Sequence, residues 1–128
     1  MRHRSIPLLV LLFACKSSGA PRLSATYNYD LVTIDGQPLP AASGNNLVVR
    51  GGLTLDTCGR FVLSEVDTAA STTSSTFQAV DGTWTTKGDS VRLTTRVSQA
   101  IYTGTLISSE VTLVPATSPN EVLVYHLH

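Results

Sequence analysis

Short runs in which apolar and polar residues alternate fill most of the chain from Ser24 onward. In Leu53-Thr54-Leu55, for example, apolar residues flank a polar one, which is the period of a strand with one buried face. Residues that fit a pleated surface are frequent, and no window of about a dozen residues has the helical period. The pattern predicts eight strands, over residues 25–34, 47–56, 60–66, 76–86, 90–97, 101–107, 110–114 and 121–127.

Turn-forming residues separate or interrupt these strands. Asp35-Gly36 closes the first, Thr57-Cys58-Gly59 leads into the third as a tight hairpin turn, and Lys87-Gly88-Asp89 precedes the fifth. Asp81-Gly82 interrupts the fourth strand, and the polar stretch 67–74 before that strand is predicted to be a mobile loop.

The connections between the predicted strands are short, which decides the topology. Parallel neighbours need a crossover of about a dozen residues or more, and the longest connection, 35–46, contains Pro38 and Pro40 and is a poor helix. We therefore predict an all-β fold, an antiparallel up-and-down meander that closes into a small barrel and leaves no sheet edge exposed. A two-sheet β-sandwich needs about the same strands and remains the alternative.

Composition narrows the class of protein. The chain has 128 residues, enough for one small domain. Nine basic and nine acidic residues give a net charge of zero, so the chain lacks the basic stripe that nucleic-acid binding requires. A hydrophobic fraction of 42% supports a packed core and excludes an acidic disordered chain.

The first fourteen residues have the layout of a secretory signal peptide. Arg2 and Arg4 precede an apolar run from Ile6 to Ala14, and this run is much shorter than the roughly 20 residues of a membrane-spanning helix. The basic start, and the Ser- and Gly-containing stretch that follows the run, argue against a buried core helix.

The tetrapeptide Leu12-Phe13-Ala14-Cys15 resembles the bacterial lipobox. The resemblance implies cleavage before Cys15, a diacylglycerol thioether on its sulfur and a further acyl chain on its new amine. Two or more acyl chains hold a protein at a membrane stably, whereas one holds it only marginally. We therefore predict a signal peptide (1–14), a lipidated cysteine with a flexible tether (15–23) and a β-barrel domain (24–128), lipid-anchored in a bacterial envelope at the outer membrane or periplasmic face. An ordinary cleaved signal that releases a soluble protein is the alternative.

Several strand-and-turn phrases, spread over most of residues 27–125, resemble small lipocalin-like domains of bacterial envelope lipoproteins. The resemblance implies a small up-and-down barrel with an apolar pocket, and no catalytic residues. The phrases are Tyr29-Asp30-Leu31-Val32-Thr33-Ile34-Asp35-Gly36-Gln37-Pro38-Leu39-Pro40, Gly52-Leu53-Thr54-Leu55, Gly82-Thr83-Trp84 and Tyr102-Thr103-Gly104-Thr105-Leu106.

Motifs of catalysis are missing from the sequence. It has no Gly-x-Ser-x-Gly elbow, Walker phosphate loop, Cys-x-x-Cys or His-Glu-x-x-His, so we predict no enzyme activity and no cofactor. His126 and His128 share one strand face and would chelate a metal only with a third ligand, such as Glu110 or Glu121. We predict an exposed strand end there and no metal site.

Three further side chains have chemistry that depends on their surroundings. Glu65 and Asp67 share a face by the strand period, and paired carboxylates can do acid–base work or bind Ca²⁺. We predict instead that they are solvated at a strand end. Cys58 lies in a predicted turn: if Cys15 is lipidated, Cys58 has no partner within the chain, and if Cys15 is not lipidated, a Cys15–Cys58 bridge becomes possible.

A barrel of eight strands has an interior just wide enough for its own side chains or for one small ligand. Two functions follow, a carrier of a small apolar ligand and a non-catalytic module that docks another envelope protein. The carrier function predicts that a group of apolar and aromatic residues lines the ligand pocket: Phe61, Leu63, Phe77, Trp84, Leu93, Leu106 and Leu113.

Overall fold

The structure, a computed structural model, describes residues 25–69 and 74–128. The predicted signal peptide, Cys15 and the predicted tether lie outside these residues. In the described part no helix is long and apolar enough to cross a membrane. Ten strands make up this part of the chain: β1 (Tyr27–Ile34), β2 (Gln37–Pro38), β3 (Ala41–Ser43), β4 (Asn46–Leu55), β5 (Arg60–Ala69), β6 (Ser75–Lys87), β7 (Ser90–Thr95), β8 (Ile101–Ile107), β9 (Glu110–Pro115) and β10 (Leu123–Leu127).

Eight of these strands form a closed antiparallel barrel. From β4 to β10 each strand pairs with the next in sequence, β10 pairs with β1, and β1 returns to β4. The pairing of β1 with β4 closes the barrel, and it runs from Tyr27 opposite Leu55 to Asp30 opposite Gly52. The predicted all-β, up-and-down barrel is confirmed, and the sandwich alternative is wrong because β1 has a strand on both sides.

The two short strands cover one end of the barrel. β2 pairs with the last residues of β1, and β3 pairs with the first residues of β4. Both lie in the connection 35–46, for which the sequence analysis predicted no strand. Because β1 and β4 are antiparallel, the end of one and the start of the other lie together, and we call this the β2–β3 end of the barrel.

Every second side chain along each strand points into the barrel. These inward side chains form the core. Trp84 on β6 is opposite Leu93 on β7, and Phe61 on β5 is opposite Gly82 on β6. Gly82 leaves room for the Phe61 ring, since a Cβ there would lie 2.9 Å from it. The buried apolar residues are Tyr29, Leu31, Ile34, Ala41, Val48, Leu53, Leu55, Phe61, Leu63, Trp84, Val91, Leu93, Val111, Leu113, Leu123 and Tyr125.

The hairpin of β5 and β6 extends beyond its neighbour β7 toward the β2–β3 end. β5 continues to Ala69 and β6 begins at Ser75, so the loop predicted over 67–74 is wrong at its start, where residues 67–69 belong to β5, and ends where predicted. Asp67 pairs with Val48 on one side and with Thr76 on the other. β7 pairs with β6 only from Gly82 onward, and within the described chain residues 75–80 therefore have a strand on one edge only.

Candidate functional site

Six of the seven residues predicted to line an apolar pocket belong to the core or pack against it. Phe61, Leu63, Trp84, Leu93 and Leu113 are buried, and Leu106 packs against them while partly exposed. The remaining residue, Phe77, is 69% exposed. It does not line the interior.

The position of Phe77 follows from the strand period. The prediction placed an interruption at Asp81-Gly82, which would allow Phe77 and Trp84 to share a face. β6 runs through these two residues without a break, and positions seven apart on a continuous strand point to opposite faces. Phe77 is paired with Val66 on the outer surface of the barrel.

Side chains fill most of the barrel interior. The recess that reaches inward, lined by Leu63, Glu65, Gln78, Val80 and Tyr102 together with Ala79, has a volume of about 90 Å³. Pockets for drug-sized ligands measure about 300–1,000 Å³. A wider hollow of about 400 Å³ includes exposed Phe77 and opens on the outside of the sheet.

Polar side chains gather around this recess near the β2–β3 end. Glu65 and Asp67 are two apart on β5 and therefore point to the same, inward face. Gln78 is directly opposite Glu65 on β6. We call the cluster the acidic recess. Glu65, Gln78 and Tyr102 lie on the wall of the recess, and Asp67, Glu121 and Tyr125 interact with them from behind that wall.

Asp67 is the most deeply placed carboxyl group of the acidic recess. Its residue is only 6% exposed. Gln78 Nε2 donates to Asp67 Oδ2 over 3.5 Å, at the limit of a hydrogen bond. Asp67 Oδ1 is buried and has no hydrogen-bond partner. A buried polar atom left in this state costs about 1–3 kcal/mol, and more if it is charged.

The pKa of Glu65 is raised from its usual 4.5 to about 6, mainly by burial and then by the nearby carboxyl groups of Asp67 and Glu121, of which Asp67 also shares a side-chain hydrogen bond with Glu65. Burial also raises the pKa of the Tyr102 and Tyr125 phenols, and the acidic groups of Glu65 and Glu121 add to the effect. Both phenols therefore stay neutral at physiological pH and can donate a hydrogen bond.

Glu121 joins the recess from the turn before β10. Ser43 Oγ on β3 donates a hydrogen bond to Glu121 Oε2 over 2.9 Å. This bond connects the short strand that covers the β2–β3 end to the acidic recess. The two elements are 78 residues apart in sequence, so only the closed fold brings them together.

The acidic recess is not arranged as a metal site. Within the described ranges no three His, Cys, Asp or Glu side chains converge in a way that could hold a metal ion. Its carboxyl groups can accept hydrogen bonds and its phenol groups can donate them. One acceptor, Asp67 Oδ1, nevertheless has no donor.

His126 and His128 interact with two different carboxylates on the outer surface. His126 Nε2 lies 3.1 Å from Glu110 Oε2, and His128 Nδ1 lies 2.7 Å from Asp30 Oδ2. The hydrogen bond that His128 donates to Asp30 and the negative charge of Asp30 raise the pKa of His128. The third metal ligand considered for this histidine pair, Glu110, thus contacts His126 alone.

Cys58 lies in the β4–β5 turn, at the end of the barrel opposite the acidic recess. Asp56 Oδ1 accepts hydrogen bonds from the backbone N–H groups of Cys58 and Arg60, at 2.9 and 2.8 Å. Cys58 is disulfide-bonded, and the described residues include no free cysteine. The sequence has one other cysteine, Cys15, which lies outside the described residues. Within one chain, Cys15 can carry a thioether or pair with Cys58, but not both.

Sequence reasoning recognised Glu65 and Asp67 as a pair but predicted that they would be solvated. A usable signal was present, because Phe61 and Leu63 are inward residues and the strand period carries the same face to 65 and 67. Tyr102 and Glu121 carried no comparable signal, since only the closed barrel brings them to Glu65. Gln78 lies opposite Glu65 in the β5–β6 hairpin, but this register follows only once β5 is known to continue to Ala69.

Comparison of the chain with protein-family models, curated proteins and solved structures gives no match. The likeness to lipocalin-like barrels therefore rests on the architecture, a closed eight-strand antiparallel meander.

Proposed function

We propose that the protein is an exported, lipid-anchored component of a bacterial cell envelope that acts as a non-catalytic interaction module. The N-terminal sequence supports export and anchoring, because a basic start and an apolar run lead to Cys15 in a lipobox-like context. The disulfide at Cys58 also supports export, since such bonds persist in oxidising compartments. It is compatible with the anchor if Cys58 pairs with a cysteine of another chain, because a lipidated Cys15, the other cysteine of this sequence, cannot form the bond.

The filled interior of the barrel is the observation that favours an interaction module over a carrier of apolar ligands. Five of the seven residues predicted to line a pocket are buried in the core. The inward recess of about 90 Å³ has a Glu, a Gln and a Tyr on its wall, which suits neither the volume nor the polarity of an acyl chain.

The anchor is tested on protein recovered from a bacterial host by detergent phase partition and by mass spectrometry of the mature N-terminus. We expect a chain that begins at Cys15 and carries acyl groups, recovered in the detergent phase. Cys15→Ser should move the protein to the aqueous phase, whereas Cys58→Ser, the matched control, should leave it with the detergent. A mature Cys15 without acyl groups and bonded to Cys58 would refute the anchor.

The choice between module and carrier is tested with the intrinsic fluorescence of Trp84, the single tryptophan of the chain. Trp84 is 1% exposed inside the barrel, so a ligand that entered the core would contact or displace it. We expect fatty acids to leave its emission unchanged at concentrations below micelle formation. Saturable quenching would instead support the carrier function.

A further inference from the structure

Residues 75–80 of β6 form an open strand edge, which we call the β6 edge. β5 pairs with these residues on one side, whereas β7 pairs with β6 only from Gly82 onward. No strand of the described chain therefore lies on the other side. All six residues are exposed, so their outer side is accessible to another strand.

The backbone of the β6 edge presents a row of hydrogen-bonding groups to this open side. Asp81 O accepts a hydrogen bond from Arg96 N over 2.8 Å, on the side of the strand that faces away from β5. The register of β5 and β6 runs from Ser75 to Asp81 without a shift. Because successive residues of an antiparallel ladder alternate in direction, the N–H and C=O groups of Ala79, Phe77 and Ser75 point the same way as those of Asp81.

The β6 edge lacks the features that protect strand edges from pairing. Protected edges carry charged side chains, proline or a bulge, or lie beneath a helix or loop. Residues 75–80 include no charged residue and no proline, and their register with β5 has no bulge. Two large apolar side chains of the edge, Phe77 and Val80, are exposed. An edge of this composition is suited to pair with another strand.

A second copy of the same edge fits the row of backbone groups. In an antiparallel pair with Phe77 opposite its own copy, Ser75 of each chain lies opposite Ala79 of the other. The outward N–H and C=O groups of these residues then meet, so each copy donates three backbone hydrogen bonds and accepts three. The lack of charge is required for such self-pairing, because like charges opposite each other destabilise a strand pair.

The length of the β6 edge matches this register. The next outward position after Ala79 is Asp81, whose C=O already accepts the hydrogen bond from Arg96 N. Beyond it, β7 occupies the side of the strand from Gly82 onward. In the other direction β6 ends at Ser75. The pairing thus uses the open stretch from Ser75 to Ala79, and β7 of neither copy stands in its way.

We propose that two copies of the protein associate through their β6 edges, as an antiparallel pair of strands centred on Phe77. The two Phe77 side chains, both on the outer surface, lie directly opposite each other, and each covers apolar area that is exposed in the single barrel. The inference rests on the proposed function and deepens it, because it names a second copy of the chain as the partner of the interaction module.

Antiparallel pairing also determines how two anchored copies meet. It reverses one barrel relative to the other, so the two Tyr27 residues, where the chains enter β1, lie at opposite ends of the dimer. The β6 edge lies toward the β2–β3 end, away from Tyr27. Copies held by lipid anchors therefore pair across two facing lipid surfaces and not side by side on one surface.

The first measurement is the mass of the full-length protein by sedimentation equilibrium, in a detergent matched in density to the solvent. A reducing agent is present, so that a disulfide at Cys58 cannot supply the association. We expect a monomer–dimer equilibrium. Phe77→Lys and Phe77→Glu each place two like charges opposite each other at the centre of the pair, and each should weaken the association at least about tenfold.

An equal mixture of the two Phe77 variants tests the register. Opposite charges then face each other at the centre of the pair, and we expect the mixture to form dimers although neither variant does so alone. Ile107→Lys is the matched control, since it adds the same charge at an exposed apolar residue on β8. It should leave the association unchanged. Thermal melts of all variants show whether each one is folded.

Three results would overturn the proposal. They are a folded protein that stays monomeric at every concentration, a Phe77→Lys variant that associates as well as the unmodified protein, and a mixture of the two folded Phe77 variants that stays monomeric. A monomer would assign the β6 edge to an extended segment of a different protein. None of these results changes the detergent partition or the Trp84 experiment, so failure of the dimer is distinguishable from failure of the proposed function.

Discussion

The side chain of Glu65 makes the stability of the whole fold depend on pH. Its pKa in the folded protein is about 6, above the ordinary value of 4.5, so the folded state binds this proton more tightly than the unfolded chain. The stabilisation from the protonated form is complete below about pH 4.5 and is lost as the pH rises through 6.

We therefore expect Glu65→Gln, which keeps the neutral form at every pH, to be more stable than the wild type at pH 7. The advantage should be of order 1 kcal/mol, after allowance for solvent screening at a partly exposed group. It should disappear near pH 4.5. Urea denaturation of both proteins between pH 4 and 7.5 measures it, and a constant difference across this range would contradict the assignment.

Asp67 should destabilise the empty barrel, because one of its carboxyl oxygens is buried without a donor beside a second carboxyl group. We expect Asp67→Asn to raise the free energy of unfolding by about 1 kcal/mol, since it removes a charge that the fold does not compensate. Thermal denaturation at pH 7 without added ligand tests this. Asp56→Asn should show the opposite sign, because Asp56 accepts two backbone hydrogen bonds in the β4–β5 turn.

At the scale of elements, the close approach of β6 and β7 depends on a residue without a side chain. A Cβ built on Gly82 would overlap the backbone carbonyl of Thr94, which cannot move away as a flexible side chain could. On β4, a Cβ built on Gly52 would meet its nearest neighbours, Ser64 Oγ and Tyr29 O, at 3.4 Å, which is ordinary contact.

We expect Gly82→Ala to lower the free energy of unfolding by about 2 kcal/mol or more, because the two strands must separate to admit the methyl group. Gly52→Ala, the matched control, should change it by less than about 1 kcal/mol. Denaturant titration of both variants gives the comparison, and equal losses would show that the close approach at Gly82 is not the cause.

Strands were predictable from the sequence where turn-forming residues stood at both ends of a segment in which apolar and polar residues alternate. The strands 101–107 and 110–114 were placed with errors of at most one residue at their ends. The β5–β6 hairpin was predicted too short because residues 67–74 are polar, and polarity normally indicates a loop. Inside a barrel, a polar strand residue such as Asp67 can instead face inward when other polar groups surround it.

The candidate site was less predictable than the fold. The strand period relates neighbours such as Glu65 and Asp67, but the position of Tyr102 beside Glu65 depends on the missing stretch of β7. That gap follows from where β7 ends at Thr95, and no local pattern in β5 contains this information. Apolar residues were therefore predicted to form the site, whereas in the fold all of them except Phe77 lie in the core or pack against it.

At the scale of the whole molecule, closure makes the last strand indispensable. β10 pairs with β1 and β9 and contributes Leu123 and Tyr125 to the core. A chain that ends at Asn120 should therefore lose the cooperative fold. We expect the emission of Trp84 to shift to longer wavelength and the near-ultraviolet circular dichroism signal to vanish.

The control for this truncation removes only the final residue. Deletion of His128 eliminates its exposed ion pair with Asp30 and one backbone hydrogen bond to Asn28. An exposed ion pair contributes little to stability because water screens it, so this shorter chain should melt cooperatively and close to the wild type. A folded chain ending at Asn120 would show that the barrel does not need to be closed.

If the proposed anchor holds the N-terminal segment at a lipid surface, the direction of β1 decides which end of the barrel faces that surface. The chain enters the barrel at Tyr27, on the same side as the β4–β5 turn, and β1 then runs for eight residues, or up to about 25 Å, toward Ile34 and the opposite rim. In a protein held through its N-terminal segment, the end of the barrel with Tyr27 and the β4–β5 turn would face the lipid. Glu65, Asp67 and Glu121 would face outward into the aqueous space, where a partner can approach without competing with phospholipid head groups.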